Sequence, residues 1–282
     1  MSNADAPDFA ARYGPWALIV GASDGLGAAF AREVAEQGCN VLLVARRQAA
    51  LDDVASEIRA GTGAAVRTIA VDLTTEHAMP AIAAACAGLD VGFVVYCAGG
   101  DPNYERFLAQ PVENALAMVE RNCVVPMRVC HHFAAPMQAR GRGGIVLVSS
   151  GAGLIGGPNV VAYGASKAFD MVMAEALWAE LHDSGVDVLG LVLGVTDTPS
   201  LRRILLERGQ LADIDAPIPG AATAESVVTE ALANLTNGPT CFATDDVREG
   251  AKHLGAMSRN DAARIMLQMA GGVMGADEKS PT

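Results

Sequence analysis

The chain has 282 residues, which allows one large domain or two small ones, and 51% of them are hydrophobic, enough for a sizeable core. A charged fraction of 18% is too low for a disordered chain. A net charge of −12, with no basic run longer than Arg46-Arg47, argues against nucleic acid as a partner. A phosphate-bearing ligand would have to be bound by local positive groups, namely helix N-termini and a few arginines.

The six cysteines and five histidines show no metal-binding pattern. No two cysteines form a Cys-x-x-Cys pair and most lie in apolar runs, so we expect reduced thiols in the core and no metal. The first sixteen residues lack the basic start and apolar core of a signal peptide, and no uncharged apolar run reaches about 18 residues. A cytoplasmic protein without a membrane span is therefore expected.

Short apolar runs alternate with longer helical patterns along the chain. Runs rich in Val, Ile and Leu predict strands buried on both faces at 16–21, 40–45, 65–72, 91–97, 144–150 and 186–194, and a last strand at 239–244. Helical patterns lie at 25–37, 48–60, 112–140, 161–184 and 222–236. This order predicts an α/β fold, a single doubly wound (Rossmann) domain over 1–282 with a mostly parallel seven-stranded sheet and helices on both faces.

Two segments depart from the alternation. Residues 199–220 begin and end with Pro and Gly around one short apolar helix pattern, which predicts a substrate lid on a core of about 14–245. Residues 246–282 form a C-terminal extension that would close the pocket, reach a neighbouring subunit or pack locally. Its predicted helix at 258–270 would be capped by Ser258, because Asp261 follows at the third position. Gly38 and Gly61 are predicted to end the first two long helices.

The segment "VGASDGLG" joins the first predicted strand to the first long helix. Glycines at 21, 25 and 27 let the backbone turn tightly and approach a pyrophosphate, and the helix N-terminus supplies unpaired N–H groups. A purely structural turn is the alternative. The predicted nucleotide contacts in this turn are Gly21, Ser23, Asp24, Gly25, Leu26 and Gly27.

The ends of the second and third strands predict which nucleotide binds. A carboxylate that would bond the ribose hydroxyls of NAD is absent after Ala45, where Arg46 and Arg47 stand instead. Guanidinium groups attract a 2′-phosphate, so NADP(H) is the predicted cofactor, the alternative being a solvated helix start. Asp72, followed by Leu73, is placed to accept from the adenine amino group, or else to cap the next helix.

The stretch "YGASK" holds a Tyr and a Lys at i and i+4 of a predicted helix, so that Tyr163 and Lys167 share a face. A nearby ammonium favours the phenolate and lowers the pKa of a tyrosine from about 10, which suits acid–base work near neutral pH. Ser150 lies 13 residues before this tyrosine and Asn122 lies 41 before it.

Together with "VDL", "YCAGG", "RNCVVP" and "VSSGAG", these motifs resemble the classical short-chain dehydrogenases/reductases over about residues 14–245. The resemblance implies a catalytic set of Asn122, Ser150, Tyr163 and Lys167. Ser150 would hold the substrate oxygen, Lys167 would also bond the nicotinamide ribose, and Asn122 would bind a water that links Lys167 to solvent. It also implies cofactor contacts from Ala98, Gly99, Tyr163, Lys167, Thr196 and Thr198.

Three positions depart from the family pattern. Leu193 stands for a usual Pro, Tyr96-Cys97 stands for a usual Asn-Asn, and Val20 stands for a common Thr. The asparagine contacts that brace the sheet near the ribose are therefore expected to be missing.

Within the family, "RYGPWALIVGASDGLG", "NVLLVARR", "YGASKAF" and "LGVTDTPSL" are most like the bacterial NADP-dependent 7β-hydroxysteroid dehydrogenases. The 3-oxoacyl-CoA reductases, which share the turn, are the next likeness. Either likeness implies a small-molecule substrate, an apolar ketone or alcohol, whose bulky body would lie against 151–161 and 199–220. The family also implies a homodimer or homotetramer joined through the helices at 112–140 and 161–184.

Two other functions remain as alternatives. An idle NADP-binding sensor would have no need of the complete catalytic set. An epimerase or dehydratase of the extended family usually carries a larger C-terminal substrate domain than this chain has room for.

Overall fold

The computed structural model describes residues 9–101 and 103–273, with side chains through Gln268. The described strands are β1 (Trp16–Val20), β2 (Asn40–Ala45), β3 (Val66–Ala70), β4 (Val91–Tyr96), β5 (Gly143–Ser150), β6 (Val186–Leu193), β7 (Thr196–Asp197), β8 (Ala222–Thr223) and β9 (Thr240–Phe242). The α-helices are α1 (Phe9–Tyr13), α2 (Gly25–Glu36), α3 (Gln48–Thr62), α4 (Ala78–Ala85), α5 (Val112–Val119), α6 (Val125–Arg140), α7 (Val161–Leu181), α8 (Pro199–Glu207), α9 (Ala224–Ala233), α10 (Asp245–Gly255) and α11 (Arg259–Val273).

Seven strands form one parallel sheet in the order β3-β2-β1-β4-β5-β6-β9, and β7 pairs with β8 beside it. The chain moves outward from β1 to β3 and then returns to the other side of β1 at β4. In sheets of this kind ligands bind outside the carboxyl ends of the strands, at the point where the order reverses. The predicted Rossmann sheet is confirmed, and its crevice lies at the ends of β1 and β4.

The strands are apolar on both faces because helices cover both. In β1, Leu18 packs in one hydrophobic cluster while its neighbour Ile19 packs in the other, on the opposite side of the sheet. Leu42 and Leu43 of β2 divide in the same way. All four side chains are buried, so burial on both faces explains why the apolar runs do not alternate with polar residues.

One of the two predicted helix ends is wrong. Gly38 follows Gln37, the C-cap of α2, and has φ +91°, so it ends this helix as predicted. Gly61 instead lies inside α3, which continues to Thr62 and ends at Gly63 with φ +72°. The Gly63 N–H donates to the Arg59 carbonyl, which closes the last turn. Two glycines two residues apart offered two ends, and only the second takes the left-handed conformation.

The predicted helix at 112–140 is three pieces. A π-helical turn, Glu120–Val124, separates α5 from α6 and contains Asn122. The predicted C-terminal helix is α11, and Ser258 caps it as expected. Ser258 Oγ accepts from the Asp261 N–H over 3.2 Å and donates to the Asp261 carboxylate over 2.6 Å. Within the described part of the chain, no helix is long and apolar enough to cross a membrane.

Candidate active site

The glycine turn after β1 leaves room that only glycine can leave. Gly21 has φ +94°, and a Cβ there would lie 2.7 Å from the Ala98 nitrogen, at the end of β4. A Cβ on Gly27 would collide with the Gly21 carbonyl oxygen. Leu26 is buried in the core, so of this residue only the backbone borders the turn. The turn is therefore a backbone-lined cradle at the switch point of the sheet, a shape that fits a pyrophosphate.

The N-terminus of α2 opens onto this cradle. Asp24 stands at the N-cap position, yet its side chain makes no capping hydrogen bond to the described backbone. Its carboxylate accepts from Arg47 Nη2 over 2.6 Å instead, and Arg203 of α8 approaches to 4.0 Å. The first N–H groups of α2 are thus left for an anion, and Arg47 is held beside them.

Arg46 takes a different direction from Arg47. It interacts electrostatically with Asp72 at the end of β3 and with Arg121 of the π-turn. Asp72 Oδ1 accepts from the Thr74 N–H over 2.9 Å and from the Thr74 hydroxyl over 2.8 Å, and the first of these bonds is the main cause that lowers the pKa of the Asp72 carboxyl.

The alternative prediction for Asp72, that it caps the next helix, is wrong. Asp72 closes a local turn and does not cap α4, which begins only at Ala78. Leu73 is buried in the hydrophobic core, so its side chain does not line the crevice.

Asn122 links the π-turn to the segment after β4. Its side chain is fully buried, and Nδ2 donates to the Gly99 carbonyl over 3.2 Å and to Ser166 Oγ over 2.9 Å. Ser166 Oγ in turn donates to the Tyr163 carbonyl over 2.8 Å. The Ser166 hydroxyl therefore joins Asn122 to the helix of the "YGASK" motif, a contact that the sequence analysis did not predict.

Tyr163 and Lys167 lie on one face of α7, as predicted. The Lys167 ammonium is 6.0 Å from the centre of the Tyr163 ring. Its Nζ donates to the Val148 carbonyl over 2.8 Å and to Asp170 over 2.9 Å, and only 4% of its side chain is exposed. A Cβ on Gly99 would lie 2.9 Å from this Nζ, so the glycine lets the ammonium reach the edge of the crevice.

The two serines at the end of β5 point in different directions, as alternation along a strand requires. Ser149 is buried and its hydroxyl donates to the Lys167 carbonyl over 2.7 Å. Ser150 Oγ accepts from the Ala152 N–H over 3.2 Å and begins the short turn Gly151–Gly153. An accepting hydroxyl keeps its own O–H, so Ser150 can still donate to a ligand.

Of the two threonines after β6, Thr198 borders the glycine turn. Thr196 is buried and its hydroxyl donates to the Gly194 carbonyl over 3.3 Å. Thr198 Oγ1 accepts from the Leu201 N–H over 3.2 Å and caps α8. A Cβ on Gly25 would lie 3.2 Å from the Thr198 Cβ, so this threonine stands directly over the cradle.

Other contacts replace the missing asparagine brace. The hydroxyl of buried Tyr96 donates to the Arg121 carbonyl over 2.5 Å. Arg121 donates from Nη2 to the Gly100 carbonyl over 2.8 Å and from Nε to Asn122 Oδ1 over 3.1 Å. The pKa of this guanidinium is lowered, and burial is the largest cause of that shift. The end of β4 is therefore fixed to the π-turn by Tyr96 and Arg121, which sequence reasoning had passed over.

The segment after β7 is tied down at both ends. Arg202 of α8 binds both carboxylate oxygens of Asp197 over 2.6 Å and donates to the carbonyls of Ile214 and Ala216. Arg208, just after α8, lies 5.3 Å from the centre of the Tyr104 ring. The 199–220 segment thus reaches across to the loop that follows β4.

A crevice lies beside Tyr163, between the loop after β4, α5 and the start of α7. Its lining includes Phe107, Met118 and Val161 together with Asp101 and Glu105. The side chain of Met266 in α11 approaches the position that a Gly157 Cβ would take, to 3.9 Å, so α11 packs on the segment after β5. Among the described residues no cluster of three or more His, Cys, Asp or Glu is arranged to hold a metal ion.

Taken with the fold, these groups define an oxidoreductase of the doubly wound α/β class. The family model of the short chain dehydrogenases matches residues 15–208. The chain belongs to the short-chain dehydrogenase/reductase family, whose members act on CH–OH groups.

The most similar relatives agree with this. The 7β-hydroxysteroid dehydrogenase of Collinsella aerofaciens is 38% identical over 190 residues, which cover 67% of this chain and 72% of the relative. A solved structure from a study of 7β-hydroxysteroid dehydrogenase stereoselectivity superposes with a TM-score of 0.84 at 33% identity, covering 92% of this chain and 99% of the other. A short-chain dehydrogenase from Sphingobium yanoikuyae, solved with NADPH, gives a TM-score of 0.73 at 26% identity, covering 87% and 97%.

Proposed function

We propose that this enzyme uses NADP(H) to transfer hydride between the nicotinamide and a carbonyl or secondary alcohol of a bulky apolar substrate, such as a hydroxysteroid. The observation that carries the proposal is the convergence of Tyr163, Lys167 and Asn122 on the segment around Gly99, next to the glycine cradle. A proton-transfer pair and a phosphate-binding turn serve one reaction only if they meet at one crevice.

Three observations support NADP(H) as the cofactor. The cradle would hold the pyrophosphate against the N-terminus of α2, and two arginines stand at the end of β2, where a 2′-phosphate would lie. A relative of the same fold binds NADPH. The residues we assign to the cofactor are Gly21, Ser23, Asp24, Gly25, Leu26, Gly27, Arg46, Arg47, Asp72, Leu73, Ala98, Gly99, Tyr163, Lys167, Thr196 and Thr198, with Leu26 and Leu73 acting through the backbone.

When bound, the cofactor supplies or accepts the hydride. Tyr163 gives a proton to the carbonyl oxygen in reduction and removes one from the alcohol in oxidation. The Lys167 ammonium favours the phenolate of this tyrosine. Ser150 donates to the substrate oxygen and stabilises the charge that develops there. Asn122 stays fixed by Gly99 and Ser166, and would hold the water that links Lys167 to solvent.

A bulky apolar substrate is favoured by the relatives. The 7β-hydroxysteroid dehydrogenases among the relatives are named for their action on hydroxysteroids, which belong to this class of molecule. The crevice is lined by apolar side chains at Phe107, Met118 and Val161 and by the carboxylates of Asp101 and Glu105, and residues 151–157 are glycine, alanine, leucine and isoleucine. We assign 199–220 as a lid, because Arg202 fastens it at its base and Arg208 joins it to Tyr104 in the loop after β4. The extension contributes α11, through Met266.

A reductase of 3-oxoacyl thioesters is the second candidate, since its Asp-Gly-Leu/Ile-Gly turn is shared by this chain. An idle sensor is the third. The test follows NADPH absorbance with ketosteroids that differ in the position of the keto group, simple ketones and 3-oxoacyl thioesters. We expect the highest kcat/KM with a 7-ketosteroid and a 7β-alcohol as product. Faster turnover of the thioesters would favour the second candidate, and NADPH binding without any turnover would favour the sensor.

We also propose a homodimer or homotetramer. The two helical segments expected at the interface carry exposed apolar side chains, namely Val112, Leu116, Val119, Met127 and Val172. Light scattering at several concentrations would measure the mass. A monomer at micromolar concentration would contradict this assignment.

A further inference from the structure

A buried carboxylate accompanies the lysine of the active site. Asp170 follows Lys167 at i+3 on α7, and its Oδ2 accepts from Lys167 Nζ over 2.9 Å. Side-chain exposure is 4% for the lysine and 3% for the aspartate. An ion pair at this depth is costly to desolvate, and apolar residues of similar volume are often as stabilising or more so. Stability alone does not account for the pair.

Arg121 of the π-turn is charged and binds Asn122 and the Gly100 carbonyl, whereas the thiols and the buried phenol around the pair are neutral near pH 7. They come from the end of β4, the π-turn and α6. Burial raises the pKa of Cys97 to about 12, of Cys123 to about 11 and of Cys130 to about 12, and raises the pKa of Tyr96 well above its ordinary value. The remaining neighbours are Asn122, the Val148 carbonyl and Tyr163 itself. In the described part of the chain, Asp170 is the carboxylate that contacts the ammonium.

Each member of the pair depends on the other for its charge. Burial raises the pKa of the Asp170 carboxyl, and Lys167 opposes that rise. Oδ1 of Asp170 is buried without a hydrogen-bond partner among the described residues, so the ammonium is the main group that favours the charged carboxylate. Conversely, an ammonium taken out of water loses its proton more readily unless an anion stays beside it.

We propose that Asp170 is a positioning residue of the hydride-transfer site, which keeps Lys167 protonated and fixed between Val148 and Gly99 so that the ammonium acts on Tyr163. This inference rests on the proposed roles of Tyr163 and Lys167. The carboxylate touches neither the crevice nor the cofactor cradle, and it acts only through the lysine. The sequence offers a signal for it, a carboxylate one turn after Lys167 on the same buried face of α7.

The test is the pH dependence of alcohol oxidation, which needs the Tyr163 phenolate. In Asp170→Asn the amide keeps the shape and removes the charge, so Lys167 deprotonates and Tyr163 holds its proton to higher pH. Desolvation shifts the pKa of buried lysines by up to 3–5 units, so we expect the rising limb of kcat/KM to move up by about one unit or more. Activity on that limb then falls at least about tenfold at a given pH.

Matched variants separate positioning from structure. Glu180→Gln removes the same charge from an exposed position on the same helix and should leave the limb in place. Asp170→Glu restores the charge and should return the limb toward that of the wild type. A limb that stays in place in Asp170→Asn, or that moves to lower pH, overturns the proposal. If Tyr163→Phe retains wild-type turnover, the proposed function fails instead.

A measurement on the wild type covers the case in which Asp170→Asn does not fold. The ¹⁵N shift of Lys167 Nζ should report an ammonium across the whole pH range of the limb. An amine that titrates together with the limb would overturn the proposal.

Discussion

Replacing Arg46 by alanine should weaken NADPH binding far more than NADH binding. Arg46 is exposed at the end of β2 and, in contrast to Arg47, has no carboxylate bonded to its guanidinium among the described residues. It is therefore ready to meet a 2′-phosphate. A hydrogen bond to a charged group contributes about 1.5–3 kcal/mol, which corresponds to roughly 10- to 150-fold in the NADPH dissociation constant.

The two arginines should differ because Arg47 must first leave Asp24. That pair is partly exposed, with 56% of the arginine and 33% of the aspartate side chain accessible, so breaking it costs about 0.2–1 kcal/mol. Arg47→Ala should thus weaken NADPH binding less than Arg46→Ala. Asp24→Asn should release Arg47 and strengthen NADPH binding, relative to NADH, by about 1.4- to 5-fold.

The assay is a fluorescence titration of both reduced cofactors at fixed ionic strength, with Arg128→Ala as a control for loss of an exposed positive charge on α6. The quantity to compare is the ratio of the NADH and NADPH dissociation constants. A ratio in Arg46→Ala that stays within twofold of the wild type would refute the assignment of this arginine to the 2′-phosphate.

Four further predictions follow from the contacts described above. Ser166→Ala should leave Asn122 Nδ2 with Gly99 alone and destabilise the protein by about 1–3 kcal/mol in urea unfolding. Ser184→Ala, at a partly exposed serine that accepts from Gln138 Nε2, should stay within about 0.5 kcal/mol of the wild type, and equal effects would contradict the role of Ser166. Gly27→Ala should push the Gly21 carbonyl into the cradle and raise the NADPH dissociation constant at least about tenfold. Gly61→Ala, with open space in α3, should stabilise the fold by about 0.5–1 kcal/mol, and a loss of stability there would contradict our placement of the helix end. Arg202→Met should release the lid and raise KM for the best ketone while the NADPH dissociation constant stays constant, and an unchanged KM would remove the lid assignment.

The sheet could be predicted because its signal is local. Strands buried on both faces are continuous apolar runs, and the run at 16–21 gives β1 to within one residue. The end of α3 could not be predicted, since Gly61 and Gly63 carry the same local signal. What separates them is which glycine takes a positive φ, and that depends on how far the helix packs along the sheet.

In the candidate site, too, some residues could be predicted from a local sequence pattern and others could not. Tyr163 and Lys167 come together through the periodicity of one helix, which the sequence carries. Arg47 binds Asp24 from 23 residues away, and Asn122 binds Ser166 from 44 residues away. Such contacts depend on how strands and helices pack, and no spacing rule within one element predicts them. The π-turn around Asn122 belongs to the same group, since two distant segments hold that side chain in place.

The most direct test of the account is the rate of ketone reduction by Tyr163→Phe under saturating NADPH. Phenylalanine keeps the ring and removes the proton donor, so we expect a loss in kcat of about 10²- to 10⁴-fold with NADPH binding within about threefold of the wild type. Tyr13→Phe, which loses a hydroxyl bonded to Asp187 far from the crevice, should retain kcat. Turnover by folded Tyr163→Phe at the wild-type rate would contradict the central claim that this tyrosine moves the proton.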